Sequence, residues 1–317
     1  MCDINFDQIK TASQRIAGIV HRTPVLHNHY FNERLNCHAH FKCENFQKTG
    51  SFKYRGASNA ILSLESHLAA KGVITHSSGN HGQALALAAR HKQIRSTIVM
   101  PTTASASKRQ ATADYGANIV PCGPTLASRE STTAKSLAET GATMVHPYND
   151  PAVIAGQGSA AMELVEEVGE LDMILAPVGG GGLLSGIAIA ISAICADVKV
   201  VGVEPAGADD AFQSMKAGTK VAIEQPQTVA DGLLPSLGNL PYRCIERHVD
   251  QIVTVTDDAI VDAMRTIWQR MKIVIEPSAA VPVAALITNK IEVANKRVGI
   301  ILTGGNIDLD KLPWVQA

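Results

Sequence analysis

The sequence predicts an α/β fold with two lobes, each built on a mostly parallel, twisted sheet that is flanked by helices. Short apolar runs rich in β-branched residues recur along the chain, and each is followed by a turn and a helical pattern. Apolar strands that alternate with helices are typical of parallel sheets buried on both faces. With 317 residues, 46% of them hydrophobic and 18% charged, the chain is long and apolar enough to bury two cores.

The predicted strands fall into two groups along the chain, which is why we expect two lobes. In order they are Val73–His76, Ser96–Met100, Ala117–Pro121, Asp172–Val178, Val198–Val203 and Arg297–Leu302. We expect a smaller, mobile lobe at residues 50–147 and a larger lobe made of residues 1–49 and 148–317. Ligands of such folds bind beyond the carboxyl ends of the strands, so motifs at those ends form the candidate site.

Charge and cysteine usage exclude some classes of protein. The net charge is −1 and no long basic run occurs, which argues against a nucleic-acid partner. The cysteines are scattered without a Cys-x-x-Cys spacing, which is typical of buried thiols in a reduced, cytoplasmic protein. They are Cys2, Cys37, Cys43, Cys122, Cys195 and Cys244.

One uncharged segment, Met173–Ala196, is long enough to span a bilayer. It contains Pro177 and five glycines, four of them consecutive. A buried strand, a glycine turn and a buried helix explain this segment better than a transmembrane helix, so we expect no membrane partner.

The four consecutive glycines, Gly179–Gly182, follow a predicted strand and precede an apolar helical pattern. Converging backbone N–H groups and a helix N-terminus suit a phosphate group, whereas a tight turn would need only one glycine. The dinucleotide and P-loop patterns do not fit here. A looser match to the dinucleotide pattern, "GQGSAA" at residues 156–161, follows a loop rather than a strand, and we treat it as unrelated to nucleotide binding.

Two further strand ends carry polar groups. In "HSSGNHGQ", Ser77, Ser78 and the backbone amides could hold a carboxylate and Asn80 could reach a ring hydroxyl, although an ordinary helix cap explains the pattern equally well. In "ILTGGN", the hydroxyl of Thr303 could bond a heterocyclic nitrogen, and a plain turn is the alternative.

Two acidic residues, Glu204 and Asp210, flank a bend after a predicted strand. With a backbone carbonyl between them they could hold Mg²⁺ or Ca²⁺, although a solvated acidic loop is the competing explanation. The eleven histidines show no zinc-site spacing and no Gly-x-Ser-x-Gly motif occurs, which argues against a zinc enzyme and a serine hydrolase.

Lys53, in "KTGSFKYRG", lies between Phe52 and Tyr54, and we expect its amine to be desolvated between aromatic groups. A lone lysine is usually a surface charge. Together with a phosphate cradle, a carboxylate-binding turn and a hydroxyl at a strand end, this lysine fits one cofactor, pyridoxal phosphate (PLP), whose aldehyde forms a Schiff base with an amine.

Eight segments resemble one family in its order, from about residue 5 to residue 310. They are "FKCENFQKTGSFKYRGASNA", "SSGNHGQA", "AGQG", "PVGGGGLLSG", "VEPAGADD", "ADG", "IEPS" and "TGGNIDL". They resemble the serine racemase and serine/threonine dehydratase group of fold-type-II PLP enzymes, which have the tryptophan synthase β-like fold. The similarity is greatest to serine racemase and threo-3-hydroxyaspartate dehydratase. It implies PLP between two lobes, racemisation of or ammonia loss from a β-hydroxy amino acid, and a homodimer.

The resemblance also implies roles for individual residues. Lys53 would bond PLP and act as the base on one face of the substrate Cα, and Ser78 would be the acid/base on the other face. The cofactor would contact Phe52 and Gly232 at its ring faces, Gly179, Gly180, Gly181, Gly182 and Leu183 at its phosphate, Asn80 at its hydroxyl and Thr303 at its pyridine nitrogen. The substrate carboxylate would lie among Ser77, Ser78, Asn80 and His81. Glu204, Asp210 and the carbonyl of Ala208 match a divalent-cation site for Mg²⁺, Ca²⁺ or Mn²⁺.

Other positions bear on substrate and regulation. Arg129 matches an arginine of racemases and hydroxyaspartate dehydratases, so it favours serine or hydroxyaspartate over threonine, while Pro235 replaces a serine of mammalian racemases. ATP as an effector is implied by matches at Lys48, Thr49, Gln83 and Tyr115. The replacement of a Ser-rich segment by His27–Tyr30 argues against ATP regulation.

Two alternatives stay open. A cysteine or cystathionine synthase has the same fold, but His81 stands where those enzymes usually have threonine. A non-catalytic phosphate-ligand binding protein is the alternative from another class, and Lys53 and Ser78 argue against it because binding alone needs neither.

Overall fold

The computed structural model describes residues 2–314, and it contains two sheets, as the sequence predicts. The larger sheet has the strand order β1-β2-β10-β7-β8-β9, and the smaller sheet has the order β5-β4-β3-β6. The strands are β1 (Val25–Leu26), β2 (His38–Cys43), β3 (Val73–His76), β4 (Ser96–Pro101), β5 (Asn118–Cys122), β6 (Thr143–Met144), β7 (Met173–Pro177), β8 (Lys199–Pro205), β9 (Gln251–Val255) and β10 (Arg297–Leu302). Every neighbouring pair is parallel except β1 and β2.

Helices cover both faces of the sheets. They are α1 (Phe6–Ile16), α2 (His29–Leu35), α3 (Lys53–Ser63), α4 (Ser66–Ala69), α5 (Asn80–His91), α6 (Ala106–Asp114), α7 (Leu126–Thr140), α8 (Pro151–Val168), α9 (Gly182–Ile194), α10 (Asp210–Ala217), α11 (Asn239–His248), α12 (Asp257–Met271) and α13 (Pro277–Ile287). Short 3₁₀ helices lie at Glu44–Phe46, Lys48–Gly50, Asp231–Leu233 and Leu309–Lys311.

The six predicted strands correspond to β3, β4, β5, β7, β8 and β10, with ends that differ by at most two residues. The sequence analysis did not predict β1, β2, β6 and β9. β1 and β6 are two residues long, too short to show a period. β2 includes His38, His40 and Lys42, which interrupt the apolar run expected of a buried strand. Lys42 is nevertheless fully buried because its amine pairs with Glu163 at 2.7 Å.

The uncharged segment at residues 173–196 forms β7, the glycine turn and α9, as predicted. In α9, Leu184, Ile187 and Ile191 recur at three- and four-residue spacing and are fully buried, and each contributes about 1.5–3 kcal/mol. Within residues 2–314, no helix is both long and apolar enough to cross a membrane.

Glycines inside α8 explain the "GQGSAA" segment. Asp150 caps this helix by accepting hydrogen bonds from the N–H groups of Ala152 and Val153. A Cβ at Gly156 would lie 2.7 Å from the carbonyl oxygen of Arg55 in α3, and one at Gly158 would lie 2.7 Å from that of Gly186 in α9. These glycines therefore let three helices pack closely, and they do not form a nucleotide-binding turn.

The expectation of free thiols is wrong for two of the six cysteines. Cys2 and Cys244, which are 242 residues apart, form a disulfide. Cys37, Cys43 and Cys122 are buried thiols, as expected, and Cys195 is half-buried. No cysteine spacing in the sequence indicates this disulfide, because only folding brings the N-terminal segment next to α11. The cytoplasmic location stays a prediction.

Candidate active site

Lys53 is the first residue of α3, and backbone pairing with the end of β10 fixes its place. The N–H of Phe52 donates to the carbonyl of Thr303 at 3.0 Å, and Ser51 pairs with Gly304 in an isolated antiparallel bridge. These bonds tie the start of α3 to the carboxyl end of a central strand, where parallel sheets place their ligands. They also bring Lys53 close to Thr303, 250 residues later in the chain.

The amine of Lys53 is poorly suited to carrying a charge. Nζ donates a 2.9 Å hydrogen bond to the carbonyl oxygen of Pro147 and lies 5.1 Å from the centre of the Phe52 ring. Burial lowers the pKa of Lys53 from 10.5 to about 8, and the carboxylate of Glu276 opposes that shift only in part. At pH 7 about one amine in ten is therefore neutral, against about one in three thousand at the ordinary value.

The expectation that two aromatic residues flank this amine is wrong for one of them. Tyr54 is fully buried in the core of the smaller sheet, and its hydroxyl lies 2.8 Å from Nδ1 of His91. Consecutive residues of a helix project about 100° apart, so neighbours in sequence do not both face the same ligand.

The tetraglycine turn between β7 and α9 is shaped by contacts that exclude side chains. A Cβ atom at any of the four glycines would come to 3.0 Å or closer to neighbouring atoms, and Gly181 has a φ of +84°. Gly182 and Leu183 open α9, so their N–H groups have no acceptor within the helix. The turn therefore offers backbone donors to an anion.

A second turn, between β3 and α5, carries the predicted substrate residues. Ser77 Oγ accepts a 3.2 Å hydrogen bond from the N–H of Gly79, and Ser78 is exposed. Asn80 and His81 are the first residues of α5, so their backbone N–H groups lack helical acceptors. This turn can bind a carboxylate.

The side chain of His81 is a buried ring with one hydrogen-bond partner among the described residues. Its Nε2 lies 3.1 Å from the carbonyl oxygen of Val145, so Nε2 carries the hydrogen and Nδ1 keeps its lone pair. Burial, with the charge of Lys53, lowers the pKa of His81 to about 3, so the ring is neutral. A neutral ring without a free donor cannot bind a carboxylate, and only the backbone N–H of His81 can do so.

Asn80 and Thr303 lie in a buried polar network. The amide of Asn80 donates to Glu276 Oε1 at 2.8 Å and accepts from Asn306 Nδ2 at 2.9 Å. Thr303 Oγ1 is buried and has no hydrogen-bond partner among the described residues. Such an unmet hydroxyl costs about 1–3 kcal/mol, and a ligand nitrogen or oxygen would satisfy it.

Glu276 is a buried acid close to the network. Burial first, and then the charge of Asp231, raises the pKa of Glu276 to about 7, while Lys108 and the bond from Asn80 act in the opposite direction. Lys108 and Asp231 form an ion pair at 2.5 Å that joins α6, next to the smaller sheet, to the segment before α11. The protonation of Glu276 is thus balanced near neutral pH.

Gly232 and Arg129 were also predicted at the site. The N–H of Gly232 donates to Ser278 Oγ at 3.1 Å, and a Cβ at this glycine would approach that oxygen to 2.8 Å. Arg129 lies on α7, and its Nε is buried without a hydrogen-bond partner among the described residues. Burial lowers the pKa of His76 and the charge of Arg129 lowers it further, whereas burial raises the pKa of Tyr148 and Arg129 opposes that rise, so Arg129 lies within electrostatic reach of both.

Glu204 and Asp210 are buried rather than solvated. Glu204 accepts hydrogen bonds from the N–H groups of Ala211 and Phe212 at 3.1 and 2.7 Å, and Asp210 accepts one from Leu237 at 2.6 Å. Burial is the main cause that raises the pKa of both carboxyl groups, and the charge of Asp210 raises that of Glu204 further. The solvated-loop explanation is therefore wrong.

The described residues hold no cluster of three or more His, Cys, Asp or Glu side chains that could bind a metal. The predicted cation site at Glu204 and Asp210 therefore needs a backbone carbonyl as its third ligand.

A buried ionic network supports α3 two residues after Lys53. Arg55 is fully buried and contacts both oxygens of Glu44 at 2.8 Å and both oxygens of Glu163 at 2.6 and 2.7 Å. Lys42 pairs with Glu163 from the other side. Breaking a buried pair costs about 3–5 kcal/mol, so this network rigidly fixes the start of α3.

The sequence analysis missed Glu276, Tyr148 and Arg55. "IEPS" contains Glu276, but a single acid before a proline gives no signal of burial. The ring of Tyr148 packs directly on Gly180, a contact that depends on tertiary structure. Arg55 follows Lys53 by two residues, yet an arginine is ordinarily exposed. Its burial depends on Glu44 and Glu163, which are distant in sequence, so no local pattern indicates it.

Comparison with known proteins gives matches along nearly the whole chain. The family described as pyridoxal-phosphate dependent enzyme matches residues 16–304. The β-hydroxyaspartate dehydratase of Paracoccus denitrificans is 50% identical over 309 residues, which cover 98% of each chain. The serine racemase of Dictyostelium discoideum is 45% identical over 316 residues, again 98% of each chain.

Solved structures agree with these matches. Maize serine racemase has a TM-score of 0.95 and 42% identity, over 97% of this chain and 95% of that one. A pyridoxal 5'-phosphate-dependent aspartate racemase has a TM-score of 0.94 and 39% identity, over 99% of each chain. The family resemblance and the fold class predicted from the sequence are confirmed.

Proposed function

This chain belongs to the family of pyridoxal-phosphate-dependent enzymes, and we propose that it racemises serine and eliminates ammonia from β-hydroxy amino acids. From L-serine it would give D-serine, or pyruvate and ammonia. The observation that carries this proposal is the amine of Lys53, whose pKa of about 8 and place at the strand ends suit proton transfer at neutral pH.

The residues at the site fit PLP. The tetraglycine turn, in which side chains would clash, has backbone donors for a phosphate, and Thr303 has an unmet buried hydroxyl for a ring nitrogen. The amine of Lys53 lies beside the Phe52 ring, which with Gly232 would bound the cofactor ring. Asn80, already oriented by Glu276, would meet the ring hydroxyl.

When bound, PLP supplies an electron sink for the electrons left at Cα after a proton leaves. In this proposal Lys53 Nζ holds or releases the proton on one face of Cα, and the hydroxyl of Ser78 does so on the other. Ser77 and the N–H groups of Asn80 and His81 orient the carboxylate. The exposed position of Ser78 supports contact with an incoming substrate. How well Ser78 returns a proton to Cα would set the ratio of racemisation to elimination.

A second candidate substrate is threo-3-hydroxyaspartate. The buried Nε of Arg129, which has no hydrogen-bond partner within residues 2–314, favours it, since a second carboxylate would satisfy that donor. The relative from Paracoccus denitrificans carries the corresponding name. L-threonine, the substrate of a catabolic dehydratase, lacks a second carboxylate and would not satisfy that donor.

A substrate panel tests the proposal. The purified holoenzyme is incubated with L-serine, L-threonine and both diastereomers of 3-hydroxyaspartate, and the amino acids, keto acids and ammonia formed are separated on a chiral column. Lys53→Ala should abolish every product, whereas Lys71→Ala, at an exposed position, should not. Products from Lys53→Ala at the wild-type rate would refute the assignment.

We also propose Mg²⁺, Ca²⁺ or Mn²⁺ at Glu204, Asp210 and the carbonyl of Ala208. Two buried carboxyl groups with raised pKa values repel each other when ionised, and a hard cation would offset that repulsion. The Glu204 oxygens are already oriented by backbone donors, which supports a preformed site.

For regulation we propose independence from ATP. The amine of Lys48 already donates to the carbonyl of Ile19 at 2.6 Å, and Gln83 is buried. Both observations argue against a nucleotide at the matched residues. Addition of ATP with Mg²⁺ should leave the rate unchanged, and a several-fold activation would contradict this.

The proposed assembly is a homodimer. Within each chain, residues 50–147 would close over the site as a unit. Phe46 and Val274 are exposed apolar residues, and Asn45 joins their segments by a hydrogen bond to the carbonyl of Val274. Light scattering should give twice the chain mass, and Phe46→Asp should reduce it to one chain mass. A wild-type monomer would contradict the proposal.

A further inference from the structure

The disulfide between Cys2 and Cys244 joins the N-terminal segment to α11, and α11 packs against the tetraglycine turn. Cys244 is fully buried, and Pro241, three residues before it, and Ile245, the next residue, are buried as well. A Cβ at Gly181 would lie 2.8 Å from Pro241 and 3.1 Å from Ile245. The helix that carries the disulfide therefore packs directly on the turn.

Further bonds link α11 and the residues before it to the same region. The N–H of Gly238 donates to the carbonyl of Gly180 at 3.2 Å. Ser185 Oγ, in α9, contacts the carbonyls of Gly181 at 2.8 Å and Pro241 at 3.4 Å. A shift of α11 would thus move atoms that hold the backbone of the turn.

The N-terminal segment is a firm anchor for this helix. Ile4 and Ile9 are buried in the core that also contains α9, and Asn5 caps α1 with a reciprocal pair of hydrogen bonds to Gln8. Cys2 itself is buried in the same core. The disulfide therefore connects α11 to a structured element and not to a loose terminus.

The Cys2 end of the disulfide borders a cavity, whereas Cys244 is fully buried. A cavity of about 350 Å³ is lined by Cys2, Asp3 and Phe6 on one side and by Arg247 and His248 of α11 on the other. A low-molecular-weight thiol entering it can attack the disulfide, and a low-molecular-weight disulfide can re-form the bond.

We propose that the Cys2–Cys244 pair is a thiol–disulfide switch that adjusts the affinity of the tetraglycine turn for the phosphate of PLP. In the oxidising direction, the two thiols lose two protons and two electrons to a low-molecular-weight disulfide such as oxidised glutathione, which becomes two thiols. With the bond formed, α11 is held against Gly181 and the donors stay converged. With the bond reduced, α11 is free to move away and the cofactor binds more weakly.

Cofactor binding by cofactor-free protein is the test. The protein is prepared fully oxidised with oxidised glutathione or fully reduced with dithiothreitol, and PLP is titrated while absorbance reports the bound form. The oxidised protein should bind PLP at least threefold more tightly than the reduced protein. Cys195→Ser, at a half-buried free cysteine, should keep this difference.

Two variants separate the switch from a general folding defect. Cys244→Ser should bind PLP like reduced wild type and should not respond to either reagent. Cys2→Ser removes the bond without a substitution in α11, so it should give the same result if Cys244→Ser does not fold. Equal dissociation constants for oxidised and reduced wild type would overturn the proposal. So would six titratable thiols, in denaturant, after treatment with oxidised glutathione. These readouts require PLP binding but no particular substrate, so they stand apart from the proposed reaction.

Discussion

The amine of Lys53 donates a 2.9 Å hydrogen bond to the carbonyl oxygen of Pro147. Pro147 lies between β6, the edge of the smaller sheet, and α8, which packs under the larger one. The bond holds the amine at the junction of the two predicted lobes. Because burial keeps water from that amine and lowers its pKa to about 8, the fraction of neutral amine changes within a pH range that can be measured.

Capture of the cofactor by Lys53 should follow the pKa of about 8. Only the neutral amine attacks an aldehyde, so the rate should rise tenfold per pH unit below about 8 and level off above it. Stopped-flow absorbance with cofactor-free protein and PLP measures this rate. In Glu276→Gln the midpoint should move lower, because the lost carboxylate favours the charged amine. A midpoint near 10.5 in wild type would show that the amine is solvated.

Ser78→Ala should reduce racemisation of L-serine far more than elimination. Loss of a positioned acid/base costs about 10²–10⁴-fold, and elimination needs the base on only one face of Cα. Both rates are measured on the same samples by chiral chromatography and pyruvate detection. Ser66→Ala, at an exposed serine of α4, is the control and should change neither rate. An equal loss of both activities in Ser78→Ala would show that Ser78 is not the acid/base on the second face of Cα.

Arg55→Met should lower the free energy of unfolding by about 3–5 kcal/mol, since it leaves Glu44 without its cation and Glu163 with Lys42 alone. The matched control is Arg22→Met, which breaks an ion pair to Glu166 whose side chains are 54% and 58% exposed. That change should cost less than about 1 kcal/mol. Urea unfolding of cofactor-free protein measures both values, and similar costs for the two variants would contradict the role given to burial.

Chelation should test the cation site. Treatment with EDTA should lower the melting temperature of the wild type, and Mg²⁺, Ca²⁺ or Mn²⁺ should restore it. Glu204→Gln removes one predicted ligand and should make the melting temperature indifferent to EDTA. Glu224→Gln, at an exposed glutamate, should respond as the wild type does. If EDTA leaves the wild type unchanged, Glu204 and Asp210 are merely a buried acid pair.

Much of the fold follows from local patterns. The strands that border the site are short, largely apolar runs followed within two residues by Ser77, Gly179 or Thr303. β3, β7 and β10 could therefore be located, and the polar groups after them indicated the site. Lys53 and Thr303 could be grouped only as parts of a cofactor pattern, because their proximity depends on the pairing of Ser51 with Gly304.

What the sequence analysis missed depends on long-range contacts. Lys42, Arg55 and Glu276 are charged residues that are buried only because distant partners neutralise or bond them. The disulfide of Cys2 likewise requires α11 to fold against the N-terminal segment. Neither hydrophobic period nor motif spacing contains that information.

The most direct measurement is to locate the covalent attachment of the cofactor. Holoenzyme is treated with sodium borohydride, which reduces the bond between PLP and its amine to a stable one, and peptides are then analysed by mass spectrometry. The account predicts a phosphopyridoxyl group on Lys53 and on no other lysine. A label on another lysine, or none at all in protein that has bound PLP, would contradict it.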